Sequence, residues 1–253
     1  STPLYSSAAS DVYKRQTKDK QDIFKIGGAV ADKPEGPFKS KKTPIEGSYS
    51  MDPSVFKDDD GKYYMYLGGI WGGQLQRWDE NNQYTPSGCE TQDNGMPNSP
   101  AISPRIALMS DDMVSFAEDL KPVRIIDKNG NPILTKDHDR RFFEAAWIHK
   151  KDGVYYLSYS TGNTHLIVYA TSDNPYGPFV YQGIINNPVD GWTNHHSTLK
   201  VGDQWYLFYH DTQISGKDHL RNVKFTEMYH NDCLLYTSPS PRDQRGSRVP
   251  SWA

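Results

Sequence analysis

The sequence predicts an all-β fold organised as a β-propeller, and three observations carry that reading. A hairpin-like segment occurs three times: "PSVFKDDDGKYYMYLGG" at 53–69, "AAWIHKKDGVYYLSYSTG" at 145–162 and "HSTLKVGDQWYLFYHDT" at 196–212. A second pattern alternates with it. "ADKPEGPFK" at 31–39 and "TSDNPYGPFV" at 171–180 share Asp-x-Pro-x-Gly-Pro-Phe, and "MSDDMVSFAED" at 109–119 is a looser copy. Finally, the turn glycines Gly153 and Gly202 lie 49 residues apart, near the period of a propeller blade.

Each copy of the first pattern reads as two short strands around a tight turn. Asp60-Gly61, Asp152-Gly153 and Gly202-Asp203 supply residues that tolerate the positive φ such turns need. One hairpin of the first kind joined to one strand-turn of the second makes a four-stranded blade. From Gly61 to Gly153 the interval is 92 residues, too long for one blade, and the excess falls in 76–103 and 121–139, which read as loop-rich insertions. A stacked β-sandwich would not explain why two half-motifs alternate. Almost no helix is expected.

The 253 residues suit one large β domain, and 36% hydrophobic with 13% aromatic residues points to a tyrosine-rich core in a soluble protein. No apolar run approaches 18 residues, so no membrane contact through a spanning helix is expected. The start lacks the order of a signal peptide, although "SSAASDVYKRQ" at 6–16 reads like a translated sequencing adapter. "CLLYTSPSPRD" at 233–243 reads like its partner adapter, continued by "SRVPSWA". Residues 1–16 and 233–253 are therefore expected to be non-native tails around a genuine stretch, 17–232. Without them the net charge moves from −3 to −6, with 23 basic against 29 acidic side chains, which gives no support to nucleic-acid binding. Cys233 falls in the tail and leaves Cys89 alone, so no disulfide framework is expected and the compartment stays unknown.

In a propeller the innermost strands converge on a channel, and residues at their starts point into its mouth. The three repeats place an ionisable group there: Asp52 in "YSMDPSVF", Glu144 in "FFEAAWIH", and His195 with His196 in "TNHHSTLK". Packing alone does not call for that. Glu144 sits between Phe142-Phe143 and Ala145-Ala146-Trp147, neighbours that would desolvate a carboxyl and raise its pKa toward a working pH. Asp52 nearby would add like-charge repulsion. Phe143 and Trp147 read as core or cleft wall, and Trp71 in "GGIWGGQLQRW" as an aromatic stacking platform for a ligand or as packing in a Gly-rich turn.

On "MDPSVFKDDDGKYYMYLGG", "FFEAAWIHKKDGVYYLSYSTG", "NPYGPF", "NHHS" with "WYLFYHD", and "HLRNVKF", residues 27–232 resemble glycoside hydrolase family 43, five-bladed propellers that act on xylosides and arabinosides. The resemblance implies a five-bladed β-propeller truncated to its last three blades plus the end of the preceding one. It makes Glu144 the general acid of an inverting hydrolysis and Asp52 the residue that tunes its pKa and orients it. It places His195, and less directly His196, beside a divalent cation, calcium held through water, in the channel. It has Arg221 contact the sugar, although Arg221 also reads as a plain surface cation. The implied partner is a xylo- or arabino-oligosaccharide taken from plant cell-wall polysaccharide; "IWGGQLQRW" with the long insertions looks more like the branch that attacks a chain end than the endo-acting one, and the resemblance leaves the two open.

The family's general base has no matching position, and Asp58, Asp59 and Asp60 lie in a hairpin turn away from the channel, so the longer parent is expected to be the enzyme and this piece inactive. A ring lacking blades would also expose sheet faces meant for burial, hence an expectation of poor solubility. Two other readings stay open: a non-catalytic carbohydrate-binding propeller, and a propeller for protein interaction marked by exposed apolar patches.

Overall fold

The computed structural model describes residues 23–86, 97–192, 194–231 and 235–237. The first expected tail and Cys89 lie outside them. Three blade-like sheets follow one another, preceded by a two-stranded hairpin of β1 (Ala29–Val30) and β2 (Lys39–Ser40). The first sheet is the meander β3 (Ser54–Lys57), β4 (Tyr63–Leu67), β5 (Arg105–Leu108) and β6 (Lys121–Pro122). The second contains β8 (Glu144–Lys151), β9 (Val154–Ser160), β10 (Ile167–Ser172) and β11 (Phe179–Asn186), with β7 (Ile125–Ile126) added outside β11. The third is β12 (His196–Val201), β13 (Gln204–Asp211), β14 (Asn222–His230) and β15 (Leu235–Thr237). Among the described residues the helical content is two 3-10 turns, Trp71–Gly73 and Leu75–Arg77.

The repeats are the strands the sequence predicts. Each first-type segment is the inner hairpin of a sheet: β3–β4, β8–β9 and β12–β13. Their turn glycines Gly61, Gly153 and Gly202 have φ of 85°, 81° and 60°, the left-handed region where a side chain is disfavoured. The Gly-Pro-Phe copies link β1 to β2 and β10 to β11, and in both the Gly–Pro bond is cis.

Two segments depart from expectation. The stretch 121–139, read as an insertion, contributes β6 to the first sheet and sends β7 into the second, where Ile125 and Ile126 pair in parallel with Phe179 and Val180 of β11. Two-residue strands carry no periodicity, so only the partner sheet reveals them. Leu235–Thr237, inside the stretch read as a tail, pairs with β14. Leu235 is buried against Tyr169 and Met228, and its N–H donates to Tyr169 Oη at 2.9 Å. An open strand edge recruits backbone with little regard to side chains.

One core fills the space between the first two sheets, with Tyr66, Leu67, Ile106, Leu157, Tyr159 and Val168 at its centre. A smaller one, built on Ile167, Ile185, Leu207 and Met228, joins the second sheet to the third. The inner strands β3, β8 and β12 lie side by side. Ser54 Oγ donates to the Ala146 carbonyl at 2.7 Å, and Trp147 Nε1 donates to Thr198 Oγ1 at 3.0 Å. The other face of the third sheet is uncovered: Leu199, Val201, Val223 and Phe225 are exposed there, with Phe225 stacked on Phe208. That face is the physical basis for the expected poor solubility.

At the hairpin-turn end of the inner strands, a polar clamp joins the first two sheets. Lys150 Nζ contacts Asp58 Oδ1 at 2.6 Å and Asp59 Oδ2 at 3.0 Å, and Tyr155 Oη donates to Asp58 Oδ2 at 2.5 Å. Burial pushes the Asp58 carboxyl up, but the Lys150 and Tyr155 hydrogen bonds outweigh it and hold the group below its ordinary range. Lys150→Met should therefore cost about 2 kcal/mol in chemical denaturation, the worth of a charge-assisted hydrogen bond at a poorly solvated carboxylate. An unchanged unfolding midpoint would show that the clamp contributes nothing.

Candidate active site

Strand starts bring the predicted groups together at the other end. Glu144 opens β8 and pairs with Ser160, but the next partners are Trp147 and Ser158. One residue of β8 is thus extra, a bulge with Ala145 at φ 62°, and such a bulge re-aims the side chain beside it. Asp52 precedes β3 at φ 55° and Ser50 sits at φ 63°, sparsely populated conformations for non-glycine residues that gather at functional sites. His195 immediately precedes β12.

Glu144 is 7% exposed. Its neighbours close over it: Ile70 N–H donates to the Phe143 carbonyl at 3.0 Å, and a Cβ built on Gly69 would stand 3.4 Å from Glu144 Cβ and 2.7 Å from Met51 Cε. Gly69 is small because the loop carrying Trp71 presses on the strand that carries the acid. Burial raises the Glu144 pKa to about 8, Asp52 pushes it the same way, and the Arg221 cation opposes both. A carboxyl in that condition keeps its proton through neutral pH and can donate it.

Asp52 is buried, with Oδ2 3.8 Å from His195 Nε2, and its Oδ1 has no hydrogen-bond partner among the described residues. Arg221 is exposed, its Nε donating to the Asp218 carbonyl at 3.2 Å. The Trp71 ring meets Phe143 edge to face with centroids 5.1 Å apart. Phe143 itself is buried and wedged beneath Gly162, where a Cβ would meet its ring at 2.3 Å, so it is cleft wall and Trp71 is the more accessible ring. Asp58, Asp59 and Asp60 stay in the β3–β4 turn, at the far end of β3 from Asp52.

The two histidines separate. The His195 side chain is 41% exposed and faces Asp52, whereas His196 is buried with Nε2 2.6 Å from Ser158 Oγ. Burial, with His195 beside it, pushes the His196 pKa down to about 3, so it stays neutral and knits β12 to β9. No cluster of three or more His, Cys, Asp or Glu side chains able to hold a metal occurs among the described residues.

One site residue escapes the sequence reading. His210 is the last residue but one of β13, with Nε2 3.1 Å from the His195 backbone nitrogen and 3.4 Å from Arg221 Nη1. Its signal was in the repeats: where the first two hairpins have Leu67 and Ser160 after a tyrosine, the third has His210 after Tyr209. Burial, and the Arg221 and His195 charges, push its pKa down to about 4 against a small rise from Asp211.

The sequence profile described as glycosyl hydrolases family 43 matches residues 4–232. A xylosidase/arabinosidase of Bacteroides ovatus is 52% identical over 219 residues, covering 85% of this chain and 65% of the relative. Xylosidase/arabinosidase 43A of Humicola insolens is 52% identical over 217 residues, covering 85% of this chain and 66% of the relative. The chain thus spans about two thirds of the length of these relatives. Among solved structures, a β-xylosidase/α-arabinofuranosidase from a compost metagenome, in complex with xylotriose and in a calcium-free form, is 64% identical with a TM-score of 0.83, covering 87% of this chain and 67% of that one. A Xanthomonas citri enzyme complexed with xylotriose is 49% identical at the same TM-score, covering 87% and 66%. The three blades and leading hairpin are accordingly part of a five-bladed β-propeller. No helix among the described residues is long and apolar enough to cross a membrane, which says nothing of β-barrels. Fold and sequence agree, and the chain belongs to family 43 of the glycosyl hydrolases.

Proposed function

We propose that the protein to which this chain belongs hydrolyses β-xylosides, α-L-arabinofuranosides or both, in oligosaccharides from plant cell-wall polysaccharide, with inversion at the anomeric carbon. The observation that carries this reading is the buried Glu144 carboxyl, protonated up to about pH 8 beside Asp52 and Arg221. A sugar-binding module has no use for a buried acid held protonated at that cost.

In the reaction, water attacks the anomeric carbon while the bond to the leaving oxygen breaks, and Glu144 gives that oxygen its proton. The proton of the attacking water goes to a general base, for which no described residue is a candidate. Asp52 keeps the Glu144 proton in place by like-charge repulsion and orients the site. Arg221 contacts sugar hydroxyls, and Trp71 offers a ring face to the sugar with Phe143 as wall.

A hydrated divalent cation, calcium by the chemistry of oxygen donors, fits the unpartnered Asp52 Oδ1 and the accessible His195. It would add positive charge near the reacting sugar. The buried His196, engaged by Ser158, is not suited to hold it.

Assaying the full-length protein on aryl β-xyloside and aryl α-arabinofuranoside tests the proposal. Turnover of either supports it and names the sugar, whereas binding of xylotriose without turnover of either substrate replaces it with the binding-module reading.

A further inference from the structure

The imidazole of His210 touches both arms of the site with one atom. Its Nε2 faces the His195 backbone N–H at 3.1 Å and Arg221 Nη1 at 3.4 Å. A backbone amide and a guanidinium can only donate hydrogen bonds. Nε2 therefore carries the lone pair, and the ring proton sits on Nδ1. That Nδ1 is buried and has no hydrogen-bond partner among the described residues, a costly state for an N–H. The ring tolerates it while its lone pair serves the two donors.

The mounting of His210 is stiff. Asp211, next in β13, is buried and accepts from Asn222 Nδ2 at 2.6 Å and from the Gln213 N–H at 3.1 Å, and it is paired with Lys224. The end of β13 is thereby tied to β14. Arg221 has the opposite character: an exposed, long side chain whose other hydrogen bond is to the Asp218 carbonyl in the preceding turn. Left to itself such a side chain samples many rotamers, and ordering it costs free energy at the moment a sugar binds. On the other arm, the peptide held by His210 carries His195, whose ring faces Asp52.

We propose that His210 is a positioning residue for the reaction, orienting Arg221 toward the sugar and fixing the backbone that carries His195 through a single acceptor nitrogen. This rests on the hydrolase reading above. His210 need not touch the substrate to act; it sets the geometry of groups that do.

Two measurements on the full-length protein test it. Nitrogen NMR of the histidine side chains reads the tautomer whether or not the protein turns over. Nδ1 protonated, with an Nε2 resonance that moves on Arg221→Ala, is the expected result, and a proton on Nε2 overturns the proposal. In kinetics on xylobiose, His210→Leu should raise KM by about 10- to 100-fold with a smaller change in kcat, the scale of losing a hydrogen bond to a charged group. His210→Gln, which can still present an acceptor oxygen, should recover most of that loss. In an Arg221→Ala background, His210→Leu should add little. Fully additive losses, or a glutamine variant as impaired as the leucine one, would reduce His210 to a packing residue. Absence of turnover in the unsubstituted protein would instead count against the hydrolase reading, leaving the tautomer to decide the role of His210.

Discussion

Glu144→Gln in the full-length protein should lower kcat on xylobiose by about 10²- to 10⁴-fold, the usual contribution of a general acid. The amide keeps the shape and burial of the carboxyl but has no proton to give. The loss should depend on the leaving group. A nitrophenolate departs without protonation, so aryl xylosides should retain much more of their rate, and an alcohol-like sugar oxygen should retain the least. Measuring kcat for xylobiose and for a series of aryl xylosides separates the two. An equal loss on every substrate would assign Glu144 to binding or folding instead.

The same substitution should change stability in a pH-dependent way, and this is measurable on the full-length protein. Folded Glu144 holds its proton to about pH 8, while the unfolded chain releases it near its ordinary value of 4.5. Between those values the unfolded state is the one that has lost the proton. Rising pH therefore favours unfolding, by about 1.4 kcal/mol per pH unit. The stability linked to this proton is fully present below pH 4.5 and is lost as pH rises through 8. Glutamine does not titrate, so the stability of Glu144→Gln relative to the parent chain should climb across that window and level off above it.

Buried histidines act on the acid side. His196, with its pKa near 3, and His230, near 4, stay neutral in the fold and gain protons first in the unfolded chain, so acid below pH 6.5 destabilises. They titrate alike in both proteins and cancel from the difference. Urea unfolding of both chains from pH 4 to 9 provides the check. A constant difference across pH 4.5–8 would mean that the carboxyl is not held protonated.

Local chemistry made much of the fold legible. An Asp-Gly or Gly-Asp pair between aromatic runs specifies a hairpin without help from elsewhere, and all three inner hairpins follow from it. Repetition then showed which positions correspond, and that correspondence pointed to Asp52, Glu144 and the pair His195 and His196 before any contact was visible. The different fates of His195 and His196 were not legible, because neighbours in sequence at a strand start point to opposite sides and only the packed sheets show that one side holds Ser158. Nor was the place of β7, whose two isoleucines become a strand only when β11 lies alongside.

By itself, the sequence determined the all-β repeat and the family and pointed to the carboxyl proposed to give up a proton, because turn chemistry and residue type act over a few positions. Tertiary structure alone decided how that carboxyl behaves. Its burial comes from a loop pressed down at Gly69, its repulsion from Asp52, 92 residues away, and its opposing cation from Arg221, 77 residues away just before β14. Electrostatic forces act through space, and distance along the chain does not predict distance in the fold.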